Sequence, residues 1–455
     1  YMVDIKLSGI SEEKTLKKCR DKNVSIIDEV KYSFIQQVTN RSLRGAPIKV
    51  TDDNKRIVVI GAGPAGLFCG YMLAKHGYRP LILERGADVD TRTEAVEHFW
   101  KTGELNTTTN VQFGEGGAGT FSDGKLYTRS NKRGDISRIL EIFNIHGADD
   151  SILYDARPHI GTDKLPKIVS TMRETILRCG GEVRFSTRMD DLRIVDGKIN
   201  AVITSDGNEI PTSAVILATG HSAEDVYKML QRHGIKMEAK GFAMGVRVEH
   251  PRELIDEIRY HKADTTYLPT ASYNVAAQVD GRGVYSFCMC PGGTVQAAAS
   301  EPETVVTNGM SEFARDAVNA NSAVLVGISP ADFGSSDLLA GMRLQQQIEH
   351  AAFTAGGSTG RAPVTLLGDF LKGQQSAAFG EVLPSYPLGT VFAKPECCLP
   401  DFVCTALRQG IPLLEQRLHG FCRPDAVLTA PETRSSSPVR LLRSSETLES
   451  VGIRG

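Results

Sequence analysis

The chain has 455 residues, with 52 lysines and arginines against 54 aspartates and glutamates. This length predicts two or three domains, and the near-neutral charge gives no electrostatic basis for binding a nucleic acid or a membrane surface. No apolar run reaches the length of a membrane span and no signal peptide opens the chain, so we expect a cytoplasmic protein. The nine cysteines are scattered and odd in number, which indicates reduced thiols rather than a disulfide framework.

The two ends of the chain predict a fragment. The first residue is Tyr1, and residues 1–50 are lysine-rich with one strand-like run at 31–36. We interpret residues 1–50 as the remnant of an N-terminal element. The other end stops at Gly455 without a closing helix.

Residues 56–84 predict a strand, a glycine turn, a helix and a second strand. An apolar run at 57–60 leads directly into a G-x-G-x-x-G sequence formed by Gly61, Ala62, Gly63, Pro64, Ala65 and Gly66. Such a turn needs its first glycine for a tight bend, its second for close approach of a pyrophosphate and its third for packing of the helix on the strand. The pyrophosphate then lies at the helix N-terminus, where free N–H groups and the helix dipole favour an anion.

Glu84 ends the second strand of this unit. A carboxylate at that point can accept hydrogen bonds from both hydroxyls of an adenosine ribose, and it disfavours the 2′-phosphate of NADP. The glycine turn, the small residues of the helix and this acid together predict a site for an ADP-containing dinucleotide. The alternative is a tight β–α turn with no ligand.

The two segments after this unit carry different predictions. Residues 88–104 are rich in arginines and acids and include the single tryptophan, Trp100, and we expect a solvated helix there. Residues 111–126 hold so many glycines that neither a helix nor a central strand is expected, because glycine costs about 1 kcal/mol in a helix interior. We predict a packed loop whose backbone N–H groups form an anion-binding nest, with a flexible surface loop as the alternative.

The next region predicts two amphipathic helices and a β-meander. Asp135 caps the first helix, and the second runs over 164–179. From residue 183 the apolar period changes to two, which predicts strands at 183–185, 189–195, 199–205 and 214–217. The last of these returns to the parallel sheet and runs into an Ala-Thr-Gly sequence beside the first glycine turn.

Alternating strands and polar loops from residue 241 predict a second, mostly antiparallel domain over 241–387 that covers the bound dinucleotide. From residue 388 the chain is expected to return to the first domain through a helix at 401–419 and a strand at 426–429. The first domain is then discontinuous, comprising 51–240 and 388–455. The predicted fold class is α/β, a three-layer Rossmann-like dinucleotide-binding domain with a β-meander and an inserted α+β substrate domain.

In combination these motifs resemble the FAD-dependent oxidoreductases of the glutathione-reductase structural class. More narrowly, the chain is similar to the bacterial FAD-dependent dehydrogenase family in segments 114–126, 287–293 and 432–440. The resemblance implies an FAD/NAD(P)-binding type of first domain holding FAD in an extended form. It also implies that the family's closing strand and terminal helix at the flavin would begin just after Ile453, where this sequence stops.

The resemblance assigns a position to each part of the cofactor. The pyrophosphate would lie at the first glycine turn, and the adenosine ribose at Glu84 with Arg85 nearby. Met189 would contact the adenine through its backbone. The ribityl and phosphate side of FAD would lie along two further backbone stretches, Gly117, Ala118, Gly119 and Thr120 in the glycine loop and Ala218, Thr219 and Gly220 after the meander.

Several side chains are candidates for the chemistry. Cys288 and Cys290 form a C-x-C pair at the end of a predicted strand, where residues i and i+2 share one face, so they predict a redox-active pair or a nucleophile near the flavin. The alternative is buried cysteine packing. Arg434 and Arg440 bracket a serine run and could bind a substrate carboxylate or phosphate, with a solvated loop as the alternative. His221 is either a general acid or a turn residue bonded to backbone.

We therefore expect an FAD-dependent oxidoreductase that acts on a small molecule by hydride transfer to or from the flavin. No second G-x-G-x-x-G is found, so the electron donor is either the substrate itself or a transiently docked reductant such as NAD(P)H. The remaining cysteines lack the spacing of a zinc or iron–sulfur site, and no metal is expected. The alternatives are a truncated or non-catalytic flavin- or ADP-binding protein, and a flavin-dependent tRNA-modifying enzyme, which the near-neutral charge disfavours.

Overall fold

The computed structural model describes residues 7–19, 21–26, 56–127, 136–261 and 264–453. The strand predicted at 31–36 and the cap predicted at Asp135 lie outside these residues. In the described ranges, the α-helices α1 to α10 are, in chain order, Glu12–Lys18, Pro64–Lys75, Val89–Thr102, Ile136–Ile145, Leu165–Arg178, Glu224–Arg232, Arg252–Tyr260, Ala340–Ala355, Leu367–Lys372 and Asp401–Glu415.

The β-strands contribute to two main sheets and three small ones. In chain order, β1 to β18 are Val58–Ile60, Leu81–Leu83, Glu182–Arg184, Met189–Val195, Lys198–Thr204, Glu209–Pro211, Val215–Leu217, Met237–Ala239, Phe242–Pro251, Ala276–Val279, Arg282–Cys290, Thr294–Ala297, Thr307–Met310, Asn319–Ile328, Ala362–Leu366, Thr390–Phe392, Val427–Glu432 and Val439–Leu441. A helix long and apolar enough to cross a bilayer does not occur among the described helices.

The first domain is built on a parallel sheet in the order β3-β2-β1-β7. Side chains of β1 and β2 alternate between two cores. Val59 and Ile82 pack against α2, α4 and α5, whereas Val58 and Leu81 pack against β4, β5 and α6. Both faces of the sheet are therefore covered, which explains why its strands are apolar throughout. This arrangement confirms the predicted three-layer α/β domain.

The predicted meander is a separate antiparallel sheet of β4, β5 and β6. At the β4–β5 hairpin Asp196 and Gly197 have φ values of 51° and 69°, as a type I′ turn requires. The structure corrects the prediction at two strands. The strand at 182–184 pairs with β2 in the parallel sheet, and the third meander strand is β6, which is too short to show a sequence period.

The second domain is a seven-stranded sheet in the order β10-β11-β14-β9-β17-β15-β16. Its centre is the antiparallel pair of β9 and β14, in register from Phe242 opposite Ile328 to Pro251 opposite Asn319. Every pair in the sheet is antiparallel except β15 with β16. Helices α8 and α10 contribute to the main core on this sheet. The predicted antiparallel α+β domain is thus present.

The predicted return to the first domain at residue 388 is wrong for residues 388–432. Strand β17 pairs with β9 and β15 in the second sheet, and Leu407 and Ile411 of α10 lie in that sheet's core. Only later does the chain rejoin the first domain, where β18 pairs with β8. A buried strand has the same sequence pattern in either sheet, so the pattern could not show which sheet it joins.

Helix α3 also differs from its prediction as a solvated helix. The side chain of Arg92 is fully buried, and its guanidinium donates to the carbonyls of Asn110, Val111 and Glu115 at 2.9, 2.9 and 2.6 Å. Trp100 Nε1 donates to the Ala297 carbonyl at 2.9 Å, and its ring lies edge-on to Phe121. Charged residues are usually exposed, but here an arginine satisfies carbonyls of the glycine-rich segment.

The second domain contains a buried neutral histidine that predicts a pH effect. His250 Nε2 donates to the Phe421 carbonyl at 2.7 Å, Nδ1 has no partner, and burial lowers the pKa of the ring to about 4. A lowered histidine pKa gives stability that is present above pH 6.5 and lost as the pH falls through about 4. At 1.36 kcal/mol per pKa unit, the loss amounts to about 3 kcal/mol.

This effect is measurable as the free energy of urea unfolding between pH 7 and pH 4. His250→Gln keeps an N–H for the Phe421 carbonyl but cannot take up a proton, so we expect a smaller decrease in stability with acid. His98→Gln, at an exposed histidine paired with Glu104, is the matched control and should retain the wild-type slope. An equal slope in His250→Gln would contradict the assignment.

Candidate functional site

The first glycine turn has the backbone geometry that its sequence predicts. Gly61 has a φ of 102°, and a Cβ there would lie 2.5 Å from the Ala218 carbonyl oxygen. A Cβ on Gly66 would lie 1.8 Å from the Gly61 carbonyl oxygen, so the start of α2 can pack against the turn only with glycine at this position. Gly63 is the N-cap of α2 and has no side chain to satisfy the free N–H groups of the first turn.

This turn forms the floor of a cleft of about 550 Å³. Most residues predicted to contact the cofactor line the cleft: Gly61, Gly63, Pro64, Ala65, Glu84, Arg85, Gly117, Ala118, Gly119, Met189, Ala218, Thr219 and Gly220. The structure therefore brings together segments that are separated by more than a hundred residues in the chain. The nucleotide-binding elements meet at the carboxyl ends of parallel strands, where such folds bind their ligands.

Three predicted residues lie behind the cleft wall. Gly66 provides the helix–turn packing described above. Ala62 is fully buried; its N–H donates to Glu84 Oε2 at 2.7 Å, and its carbonyl accepts from the Gly116 N–H at 2.8 Å. Thr120 is also buried, and its hydroxyl has no hydrogen-bond partner. Ala62 and Gly66 thus support the shape of the site from behind.

Glu84 has a structural role that the sequence did not reveal. Its carboxylate is buried and accepts three backbone N–H groups, from Ala62 at 2.7 Å and from Gly86 and Gly114 at 3.0 Å. It therefore joins the first glycine turn to the glycine-rich segment, while still lining the cleft. Arg85, beside it, pairs with Asp225 at 2.9 Å and covers the Phe113 ring.

The glycine-rich segment is ordered and packed, and the alternative of a flexible surface loop is wrong. It contains a short 3-10 helix, Gly117–Phe121, where no helix was expected. Gly114, Gly116 and Gly117 have positive φ, and a Cβ on Gly117 would lie 2.9 Å from the Gly63 Cα. Glycine is needed here for close backbone approach of the two segments, an effect that outweighs its low helix propensity.

A second, smaller hollow of about 40 Å³ lies beside the cleft, on the side of the second domain. It shares Gln112, Ala118 and His221 with the cleft and is completed by Val306, Thr307, Asn308, Glu432 and Arg434. The second domain therefore lines a cavity directly beside the cleft of the first domain.

The predicted substrate arginines lie in different places. Arg434 lines the smaller hollow, but its guanidinium is paired with Glu349 at 2.7 and 2.6 Å. Arg440 is exposed, pairs with Glu238 at 2.7 Å and lines neither cavity. The structure does not bring the two arginines to one ligand.

His221 is held by its neighbours. Its Nε2 donates to the Arg434 carbonyl at 2.9 Å, and its Nδ1 lies 2.9 Å from the Ser222 hydroxyl. Burial, followed by the charge of Arg434, lowers the pKa of His221 below its usual value. The ring is thus neutral at pH 7 and bonded to backbone, which agrees with the turn-residue interpretation.

The cysteine pair lies in a cationic environment. Lys125 Nζ is 4.0 Å from Cys288 Sγ and 3.8 Å from Cys290 Sγ, and an Arg247 nitrogen is 3.9 Å from Cys290 Sγ. Sequence reasoning missed both Lys125 and Arg247, since neither is near the cysteines in the chain. The one available signal was that Lys125 lies in segment 114–126 and the cysteines lie in segment 287–293, two of the three segments on which the family resemblance rests. Within the described residues, no cluster of three histidines, cysteines or acids could hold a metal.

The cleft fits an extended dinucleotide. The N-terminus of α2, which has no side-chain cap, faces the cleft. The first glycine turn and the glycine-rich segment meet there through their backbones at Gly63 and Gly117, and the buried Glu84 is part of the lining. These features define a dinucleotide-binding protein of the Rossmann-like type. The residues that would hold FAD are the cleft-lining residues given above.

Comparison with known proteins agrees with this class. Residues 59–108 match an NAD(P)-binding Rossmann-like domain, and residues 241–435 match the family described as FAD-dependent protein, C-terminal domain-like. The chain is 46% identical over 447 residues to an uncharacterized protein of Clostridium beijerinckii, covering 98% of this chain and 81% of that protein. It belongs to the same family as that protein. The match of residues 241–435 to the FAD-dependent family supports FAD as its cofactor.

Solved structures show more distant similarity. A Thermovibrio ammonificans THI4 is 20% identical with a TM-score of 0.28, over 40% of this chain and 64% of that chain. A variant of the halogenase PltM in complex with FAD is 12% identical with a TM-score of 0.34, over 64% of this chain and 55% of that chain. In both cases the match spans less than two thirds of the solved chain.

Proposed function

We propose that this protein is an FAD-dependent oxidoreductase that transfers a hydride between a small-molecule substrate and the flavin. The proposal is carried by one observation: the cofactor cleft adjoins a hollow lined by the second domain, and the two share the wall residues Gln112, Ala118 and His221. When bound, FAD supplies the two-electron chemistry, and the protein supplies binding, orientation and electrostatics.

Each part of the site has a distinct task in this proposal. The first turn of α2 binds the pyrophosphate through its free N–H groups, and Glu84 binds the ribose. The 3-10 helix at 117–121 presents its backbone along the chain between ribose and flavin. His221, neutral and held by the Arg434 carbonyl, fixes the boundary between cleft and hollow.

The charge of the hollow favours a neutral, polar substrate. The Arg434 guanidinium is already paired with Glu349, and Glu432 in the same wall is paired with Arg247. The other polar side chains of this wall are those of Thr307, whose hydroxyl donates to the Pro431 carbonyl at 2.9 Å, and Asn308, whose oxygen accepts the Gly309 N–H at 2.8 Å. We therefore propose a substrate with hydroxyl or amide groups rather than the carboxylate or phosphate that the sequence suggested.

We further propose that the protein belongs to the glutathione-reductase structural class and takes electrons from either its substrate or a transiently docked NAD(P)H. The support is the antiparallel meander, which lies in sequence between β3 and β7 of the parallel sheet. A dedicated second nucleotide-binding turn was not found in the sequence.

The test is a visible spectrum of the purified protein followed by anaerobic reduction. We expect a flavin absorption band that is bleached by dithionite, and by NADH, NADPH or members of a panel of small alcohols, amines and amides. A protein that remains colourless after incubation with FAD would contradict the cofactor assignment. A bound flavin that no member of either group reduces would contradict the oxidoreductase proposal and favour a non-catalytic flavoprotein.

A further inference from the structure

The C-x-C pair lies at an irregularity of strand β11. Phe287 is opposite Ala323 and Cys290 is opposite Asn321, so the residues between them form a β-bulge. Within it Cys288 has a φ of 43°, a left-handed conformation that a non-glycine residue adopts only at a cost. A bulge re-aims side chains, and here the Cys290 thiol donates to the Cys288 carbonyl oxygen at 3.3 Å.

Two cations contact this pair from separate elements. Lys125, from the glycine-rich region, lies within 4.0 Å of both sulfur atoms and is held by Asp123 at 3.2 Å. Arg247, from β9, approaches Cys290 and is held by Glu432 at 2.6 Å and by the Asn321 side-chain oxygen at 2.5 Å.

The surrounding groups make the two thiols unequal. Hydrogen bonding from Cys290 and the charges of Lys125 and Arg247 lower the pKa of Cys288 well below its usual value, whereas the neighbouring Cys288 and burial raise the pKa of Cys290. Cys288 is half-buried and Cys290 is fully buried. Three other charged groups lie in the cluster. Asp123 and Arg315 pair with each other, and Glu432 pairs with Arg247.

Packing in a core does not by itself explain the surroundings of Cys288 and Cys290. Buried cysteines that only pack lie among apolar side chains, as Cys404 does in the main core. Here a lysine and an arginine lie against sulfur, and the buried amide nitrogen of Asn321, opposite Cys290, has no partner. These are the features of a site that stabilises a thiolate.

We propose that Cys288 and Cys290 form a redox-active dithiol that exchanges with low-molecular-weight disulfides, with Cys288 as the attacking sulfur and Cys290 as the resolving sulfur. This is a reactive centre beyond the proposed flavin chemistry, and it does not require flavin to be bound.

The exchange balances in two displacements. The Cys288 thiolate attacks one sulfur of the disulfide RSSR, the S–S bond of RSSR breaks, the first RS⁻ leaves, and a mixed disulfide Cys288–S–SR is formed. The Cys290 thiol loses its proton, its sulfur attacks Cys288 sulfur, and the second RS⁻ leaves. The protein gains an internal disulfide and loses two electrons, while RSSR gains two electrons and forms two thiols with protons from Cys290 and solvent. The reverse sequence with excess thiol restores the dithiol.

The test uses the purified full chain, reduced and desalted without oxygen, with glutathione disulfide as the probe and peptide mass mapping as the readout. In the wild type we expect the peptide containing both cysteines to lose the mass of two hydrogens. Cys290→Ser should instead retain one glutathione on Cys288, and Cys288→Ser should leave Cys290 unmodified. Cys69→Ser, at a half-buried cysteine of α2, is the matched control and should behave as the wild type.

Variants of Lys125 test whether Cys288 reacts because its thiolate is stabilised or only because it is accessible to the disulfide. Lys125→Met should slow the reaction of Cys288 at pH 7, because loss of the ammonium raises the pKa of the Cys288 thiol. The thiolate fraction falls by at most about tenfold for each pKa unit, and the rate should recover at higher pH. Lys125→Arg should restore most of it. The proposal is overturned if Cys288 does not react in the folded wild type, if Cys290→Ser accumulates no mixed disulfide, or if Lys125→Met leaves the pH profile unchanged. None of these outcomes bears on flavin binding, which the visible spectrum tests separately.

Discussion

Gly66→Ala is expected to yield a protein without FAD whose free energy of unfolding is lower by about 3 kcal/mol, the upper part of the usual range for overpacking. The added Cβ would lie 1.8 Å from the Gly61 carbonyl oxygen and 2.9 Å from its carbon. Both are backbone atoms of the turn that begins the cleft, so neither can rotate away. Helix α2 has to move off the sheet, which removes its N-terminus from the cleft.

Gly63→Ala is the matched variant, because its Cβ would meet only the Gly117 Cα at an ordinary 3.7 Å. We expect near-native stability but FAD affinity lower by at least about tenfold, since a methyl group at the N-cap obstructs a charge-assisted hydrogen bond worth roughly 1.5–3 kcal/mol. Urea unfolding and calorimetric titration with FAD measure the two quantities. Equal stability of Gly66→Ala and wild type, or unaltered FAD affinity in Gly63→Ala, would contradict this account of the turn.

The second large effect is expected at the buried pair of Arg247 and Glu432. Both side chains are buried, and two hydrogen bonds of 2.6 and 3.0 Å join them across strands β9 and β17. Arg247→Met should lower the free energy of unfolding by about 3–5 kcal/mol, because it leaves a buried carboxylate without its partner. The glycine at 309 shows how closely this space is filled, since a Cβ there would lie 1.8 Å from the guanidinium.

A double-mutant cycle separates two contributions to the free energy of unfolding: the cost of burying one charge without its partner, and the loss of the ion pair itself. The combination of Arg247→Met with Glu432→Leu should recover most of the stability, because neither charge is then buried alone. Urea unfolding of the four proteins provides the comparison, and Glu432→Gln supplies a milder single variant if Arg247→Met does not fold. Additive effects of the two substitutions would show that the pair is not coupled.

Much of the first domain could be predicted from sequence because its signals are local. The turn at Gly61, the helix that follows and the acid at Glu84 lie within one short stretch, and each has its own steric or electrostatic requirement. The structure confirms the three-layer fold, and the family match confirms FAD as the cofactor. The roles of the individual cleft residues toward FAD remain predictions.

The rest depended on contacts between distant parts of the chain. Residues 388–432 read as apolar helix and strand in either domain, and only the pairing of β17 with β9 decides between them. Arg92 looked solvated because its carbonyl partners lie in the glycine-rich region. Arg434 looked available for a ligand because its partner, Glu349, is 85 residues away in sequence. Charge pairing of this kind leaves no periodic trace in a sequence.

The position of Trp100 gives the protein an intrinsic optical reporter. This indole is the single one in the sequence, and it bridges the Ala297 carbonyl of the second domain and the ring of Phe121, the last residue of the 3-10 helix that lines the cleft. Its fluorescence therefore originates where the two domains meet, next to the 3-10 helix whose first three residues line the cleft. Quenching of that emission during a titration yields a binding isotherm for FAD without any label.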